Sequence, residues 1–361
     1  MVKAAVLKAP EVIETEEFPF PDHGTIIKTE ATGVCGTDPH VFDNSIETPH
    51  PLIMGHELLG RVHQLDEKSL SKQSDRIDVG DRVFIAPGID CNGCFYCENV
   101  GSLCSDRKFY GINMTSEDPP HLRGGFSEFL ALNSDTTLLK VPGSMPVEVA
   151  VLIEPMACGI RAVKQAFPDL EKVKNATVVI VGVGPIGLFA TAVAKLYGAR
   201  KIIVIDRLPH RLEFAKQFGA DLTADRSQYQ GTELSRHVKR ESNNGIGADA
   251  VIACTGEVES VEYGLPMLRK GGRFVEKGVY AEAGTAQISP SAICTQNIEF
   301  VGTSYTFLQD FRDAIELLKR MDFPYQKVVT DRFGIEEVRK AIMTVIAREC
   351  MKVIIDPTIN K

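Results

Sequence analysis

The twenty residues from Asn175 to Ala194 carry no charge, and only a membrane or the interior of a sizeable fold accepts such a run. Gly182, Gly184, Pro185 and Gly187 break it in the middle. It therefore reads as a buried strand, "TVVIV", a glycine turn, and a helix, "LFATAVAKL". More apolar strands follow in "RKIIVIDR", "ADAVIACTG", "GRFVEKGV" and "NIEFVGTS", separated by helical or mixed stretches. That alternation predicts a parallel sheet covered by helices.

Gly182, Gly184 and Gly187 form G-x-G-x-x-G between strand and helix. The first glycine permits the tight turn, the second lets backbone approach a pyrophosphate, and the third lets helix and strand pack closely. Pro185 and Ile186 sit inside the motif, at the helix N-terminus that would face the phosphates. Asp206 closes the next strand about 20 residues on, where a carboxylate accepts hydrogen bonds from a ribose diol. A carboxylate there repels a 2′-phosphate and favours NAD, while Arg207 and Arg211 keep NADP as the alternative. Thr255, Gly256, Gly278 and Val279 lie at the ends of later strands, where further cofactor contacts are expected. The rival reading is a structural turn that binds nothing.

With 361 residues, two domains are expected. The N-terminal ~150 residues have a different texture, short strand-like runs such as "TIIKTEATG" and "DRVFIAPG" stopped by glycine. The polar stretch "QLDEKSLSKQSDRIDVGD" reads as a surface loop, and the tail "FGIEEVRKAIMTVIARECMKVIIDP" as a helix and one strand. A net charge of −8 argues against nucleic-acid and anionic-membrane partners. The N-terminus lacks a signal-peptide h-region, so a cytoplasmic location with reduced thiols is expected for the nine cysteines.

Four of those cysteines, Cys91, Cys94, Cys97 and Cys104, crowd into "CNGCFYCENVGSLC". Four thiolates can close a tetrahedron around zinc and leave no position for water. A redox dithiol and a nucleic-acid zinc ribbon are the alternatives; the first normally has one pair, and the second two separated pairs. A dispersed second set comprises Cys35, Thr37, Asp38 and His40 in "GVCGTDPH", His56 and Glu57 in "GHELLG", and Glu154 in "IEPMACG". Thiolate, imidazole and carboxylate together suit a zinc with one open position. Singly, each has a plain structural reading, as a small buried thiol, a core histidine or a salt-bridged acid.

"GVCGTDPH", "GHELLG", the cysteine cluster, "GGFSEF", "IEP" and "VGVGPIG" occur in an order that resembles the zinc-dependent medium-chain alcohol dehydrogenases, over essentially the whole chain. Glu154, in place of a third cysteine ligand, makes the resemblance strongest to the polyol and threonine dehydrogenase branch. Three departures are a six-residue gap between Cys97 and Cys104, one shorter than usual; Asp66 where a glycine or alanine is usual after "GHELLG", followed by a longer polar loop; and an unfamiliar segment at 106–123 that includes His121. The resemblance implies an α/β protein with a GroES-like β-barrel catalytic domain over 1–155 and 303–361, and a Rossmann doubly wound domain over 156–302. It implies two zinc ions, one structural on the four-cysteine lobe and one catalytic on Cys35, His56 and Glu154, with Glu57 beside His56 ligating transiently or holding the zinc-bound water. By the same resemblance Thr37 takes the substrate proton and His40 passes it to solvent, while Asp38 orients a ligand or His40. The implied activity is reversible oxidation of a secondary alcohol, polyol or sugar with hydride transfer to NAD(P), in a homo-oligomer, a tetramer before a dimer. The rivals are a zinc-free reductase of the same superfamily, which would lack the ligand set, and a non-catalytic protein retaining the dinucleotide fold.

Overall fold

A computed structural model of the chain describes residues 1–66, 76–101, 103–279 and 284–359. Much of the polar stretch expected as a loop, at 67–75, lies outside the described residues. The chain divides into two compact units, Met1–Glu154 with Ala314–Lys361, and Pro155–Asp313.

The first unit is built on antiparallel pairing. Strand Thr25–Val34 is its organiser, paired with Glu57–Gln64 on one side and with Lys352–Ile355 on the other. Arg82–Ile85 and Leu138–Lys140 extend the sheet beyond Glu57–Gln64, and Val329–Phe333 extends it beyond Lys352–Ile355. A smaller sheet joins Val12–Phe18, Val2–Ala9 and Leu52–Ile53. The chain's last strand thus sits beside one of its first, because "KVII" is fully buried and needs a partner on each edge. Helix Val338–Ala347 leads into it and covers a core containing Leu7, Val34, Phe42, Met54, Phe126, Ile342 and Val353.

In the second unit six strands run parallel, in the order Leu222–Asp225, Lys201–Asp206, Thr177–Val181, Ala248–Ala253, Leu268–Glu276, Glu299–Gly302. Strand Thr177–Val181 is buried at every position, as a two-faced parallel strand requires. The connections run outward from it first to one side and then to the other. The switch point therefore falls at its C-terminal end, where doubly wound sheets open a crevice for ligands. The glycine turn and helix Pro185–Leu196 follow directly, so the uncharged run is a strand and a helix. Among the described residues no helix is long and apolar enough to cross a membrane.

Candidate active site and metal centres

In the first unit, Cys35 follows strand Thr25–Val34, and His56 directly precedes Glu57, which opens the strand beside it. The pairing brings one ligand atom from each of Cys35, His56 and Glu57 within 4.8 Å of one another. His56 and Glu57 are buried and Cys35 is half-buried. Asp38, wholly buried at the start of helix Asp38–Phe42, accepts a hydrogen bond from the Cys35 N–H at 2.7 Å. Its other oxygen lies 3.5 Å from His56 Nδ1, and neither of these two buried atoms has a hydrogen-bond partner among the described residues. With Nδ1 facing Asp38, Nε2 is the nitrogen left to hold a metal. Burial alone would keep His56 neutral, but the charges of Asp38 and Cys35 outweigh it and push the imidazole well above its usual value.

Glu57 is the most constrained of the set. One carboxylate oxygen is ion-paired with Lys352 from the last strand, and Lys352 Nζ also donates to the Val34 carbonyl at 2.9 Å. The other oxygen is buried without a hydrogen-bond partner among the described residues, as an oxygen reserved for a metal would be. Burial raises the Glu57 carboxyl against the pull of Lys352, and the surrounding anions hold Lys352 above its ordinary value despite burial. Gly33, opposite Glu57 in the ladder, makes the room: a Cβ there would lie 1.9 Å from Glu57 Oε2 and 2.9 Å from Lys352 Cε. Neither Lys352 nor Gly33 stands out in the sequence; the one trace is a lysine at the head of an otherwise apolar strand. Glu154 is buried in the first turn of helix Ile153–Ala166, and its charge acts on both Glu57 and Lys352. Its carboxylate is adjacent to the three close donors but is not one of that set.

Thr37 Oγ1 lies 3.7 Å from Cys35 Sγ. His40, one turn on, has Nδ1 3.2 Å from Ser45 Oγ, which in turn donates to Asp43 Oδ1 at 2.6 Å on the exposed surface. Ser45 and Asp43 extend the expected relay outward, and no motif marked them. The Phe109 ring packs edge-on to His56 at 6.0 Å between centroids. His121 Nδ1 lies 3.0 Å from the Ser116 carbonyl oxygen.

The four-cysteine lobe gathers Cys91, Cys94, Cys97 and Cys104 within the same 4.8 Å limit. Cys94 and Cys97 sulfurs are 3.5 Å apart, and those of Cys91 and Cys97 3.9 Å. Tetrahedral bonds of about 2.3 Å to zinc set sulfur–sulfur edges of roughly 3.8 Å, so the spacing fits the metal. The short gap to Cys104 does not prevent closure, since Cys104 Sγ accepts from the Cys91 N–H at 3.3 Å. Backbone N–H groups of Ser105 and Cys97 pull the Cys94 thiol down to about 5, towards the thiolate that a metal needs.

In the second unit the glycine turn divides its labour. Gly182 has φ +84° and a Cβ there would sit 2.5 Å from Thr255 Cγ2; a Cβ on Gly187 would sit 1.9 Å from the Gly182 carbonyl oxygen. These two serve the fold. Before Gly184 the space is open, with only Arg211 Nη1 nearby at 3.7 Å, and Pro185 and Ile186 follow in the first turn of the helix. A cradle that a Cβ would begin to fill suits a pyrophosphate. Asp206 Oδ2 accepts from the Val183 N–H at 2.7 Å, and Oδ1 from the N–H groups of Arg207 and Leu208 at 2.7 and 2.9 Å. Gly256 and Gly278 press on one another, a Cβ on Gly278 falling 2.4 Å from Gly256 N, while Val279 is exposed.

Residues 21–143 match the alcohol dehydrogenase GroES-like domain, and residues 185–320 match the zinc-binding dehydrogenase family. Sorbitol dehydrogenase of Bacillus subtilis is 30% identical over 99% of this chain and 97% of its own length. D-xylulose reductase A of Aspergillus niger is 28% identical over 97% of this chain and 95% of its own. Among solved structures, an alcohol dehydrogenase of Thermotoga maritima superposes with TM-score 0.92 at 30% identity, covering 98% of this chain and 99% of that one. A zinc-binding dehydrogenase of Sinorhizobium meliloti, bound to NADP, gives 0.86 at 26% identity with 99% of each chain covered.

Proposed function

The chain belongs to the zinc-dependent medium-chain alcohol and polyol dehydrogenases, and from that premise we propose that it oxidises a polyol or related secondary alcohol to the carbonyl compound, passing hydride to NAD. The observation that carries this reading is the convergence of Cys35, His56 and Glu57 in a chain that also bears the open glycine cradle.

Cys35, His56 and Glu154 would hold the catalytic zinc, with Glu57 poised beside them. When bound, zinc supplies a Lewis acid that polarises the substrate oxygen. Asp38 fixes the ring orientation and tautomer of His56. Thr37 takes the hydroxyl proton, and His40 passes it by way of Ser45 and Asp43 to solvent. When bound, NAD would supply the hydride acceptor for the carbinol carbon, so that the overall change is alcohol and NAD to carbonyl compound, NADH and one released proton. The Gly182–Gly187 turn would receive the pyrophosphate, with Arg211 beside it, and Asp206 would take the adenosine ribose, with Thr255, Gly278 and Val279 at the remaining strand ends. The carboxylate of Asp206 supports NAD over NADP.

A second zinc closes the four-cysteine lobe and holds a segment whose helix, Phe95–Asn99, has no buried residue. The chain works as a homo-oligomer, a tetramer before a dimer. Strand Glu299–Gly302 supports this, because it is the sheet's edge and exposes Phe300. The reducing cytoplasm suits nine cysteines that form no disulfide among the described residues. The test is reduction of NAD and NADP against a panel of polyols, sugars and secondary alcohols, before and after chelation. Turnover that survives complete zinc removal would overturn the zinc mechanism.

A further inference from the structure

We propose that Glu257 sets the choice between the two nicotinamide dinucleotides, by holding Arg207 in an ion pair that denies it to a 2′-phosphate. The inference rests on reading the Gly182–Gly187 turn as the dinucleotide site.

Strands Lys201–Asp206 and Ala248–Ala253 flank the central strand Thr177–Val181, one on each side. Arg207 is the first residue after the former, and Glu257 lies in the turn after the latter. Arg207 Nη2 meets Glu257 Oε1 at 2.7 Å. The pair therefore joins the two neighbours of the strand that runs into the glycine turn, at the end of the sheet where a dinucleotide binds.

Both ends are built rather than incidental. The N–H of Arg207 is tied to Asp206, whose carboxylate also anchors Val183 and Leu208. On the other side the Glu257 N–H donates to Thr255 Oγ1 at 3.0 Å. Gly256, at φ +74°, is pressed so closely on Val279 that a Cβ would lie 2.3 Å from its carbonyl oxygen. The backbone that presents Glu257 therefore has little freedom.

The charge balance gives the pair its effect. Asp206 and Glu257 contribute two negative charges, and Arg207 returns one positive charge. A 2′-phosphate would bring about two more negative charges to the end of the ribose strand. It would meet the carboxylates of Asp206 and Glu257 with the Arg207 guanidinium already engaged by Glu257, while Arg211 is placed at Gly184 on the side of the turn. The two hydroxyls of an unphosphorylated ribose need only an acceptor, which Asp206 provides. Arg207 and Glu257 are both partly exposed, so the pair adds little to stability; its consequence lies in which ligand finds a cation.

The test titrates the full-length zinc-loaded protein with NADH and NADPH, following nicotinamide fluorescence at fixed ionic strength. Glu257→Gln should tighten NADPH about tenfold relative to NADH, the scale of one charge-assisted hydrogen bond. Glu257→Asp should keep most of the wild-type preference. Adding Arg207→Ala to Glu257→Gln should erase the gain, which a loosened turn would not do. An unchanged NADPH to NADH ratio in Glu257→Gln, or a gain that survives loss of Arg207, would overturn the inference while leaving the dinucleotide site intact. Failure of the wild type to bind either dinucleotide would instead overturn the underlying reading of the turn, and the role of Glu257 with it.

Discussion

Lys352 and Glu57 form an ion pair in which both side chains are almost wholly buried, between residues 295 positions apart in sequence. Gly33 leaves the volume they occupy, and the Val34 carbonyl takes a second hydrogen bond from the lysine. The pair ties one carboxylate oxygen of Glu57 and leaves the other buried with no hydrogen-bond partner among the described residues.

Breaking this pair from one side should therefore be costly. Lys352→Met strands a buried carboxylate, and should lower unfolding stability by about 3–5 kcal/mol. Glu57→Gln strands a buried ammonium and should do similar damage. The double variant removes both charges and should regain most of the loss, with activity still abolished. Denaturant titrations of the four proteins give the coupling directly, and additive single losses would show that the two groups do not depend on one another.

Zinc uptake at the catalytic set should depend on pH through His56. Its imidazole is held above the usual value in the metal-free protein, so a proton must leave before the nitrogen can bind metal. Affinity measured by chelator competition should rise by about tenfold per pH unit for that one proton until the raised value is passed. For the metal-free fold the sign is opposite. The bound proton stabilises it fully below the unfolded imidazole value of about 6.5, and this contribution is lost as pH rises through the folded value. A zinc affinity that is flat with pH across the neutral range would contradict both.

The two metal centres should separate by mutation. Cys35→Ser should abolish dehydrogenase activity with little change in melting temperature, since the surrounding strands are packed without it. Cys94→Ser should lose one zinc and loosen the lobe, lowering stability or assembly, because metal binding there is folding free energy. Folded Cys94→Ser enzyme should keep much of its turnover. A Cys94→Ser protein that is stable but catalytically dead, or that retains two zinc ions, contradicts the structural assignment of the lobe.

Asp206→Gly should weaken NAD binding and shift preference towards NADP by tenfold or more, as charge-assisted hydrogen bonds are worth ~1.5–3 kcal/mol. It should also soften the glycine turn, because three backbone N–H groups lose their acceptor. Asp206→Asn keeps an acceptor and should retain more of the turn's order while giving up the charge. Comparing melting temperatures and dinucleotide affinities of the two variants distinguishes the roles. A wild type that already prefers NADP would remove the one given to Asp206.

Phe300→Asp, on the exposed edge strand Glu299–Gly302, should dissociate the oligomer at micromolar concentration. Light scattering on the variant and the wild type checks it. A wild type that is itself monomeric ends the argument.

Some of this molecule could be read from neighbours along the chain. The glycine turn was legible because strand, turn and helix are contiguous, and because the positive φ of Gly182 and the approach of Gly187 to the Gly182 carbonyl are local demands. The four-cysteine lobe was legible for the same reason, its ligands closing within one short loop. Cys35, Asp38 and His56 announced themselves by residue type, in two motifs that only needed to be brought together. Lys352, Gly33 and Glu257 were not legible. A lysine before an apolar strand, a glycine inside one and a glutamate after a turn are ordinary features, and nothing local distinguishes them. Each takes its meaning from a partner supplied by strand pairing or strand order: Lys352 and Gly33 from a ladder that joins the chain's last strand to one of its first, and Glu257 from lying one strand beyond the glycine turn. Sequence by itself determined the chemistry available and the elements that carry it, since backbone geometry and ligand type act over short distances. Tertiary structure alone decided which charges meet in the interior, because an ion pair's energy depends on separation and burial, and neither is a property of position along the chain.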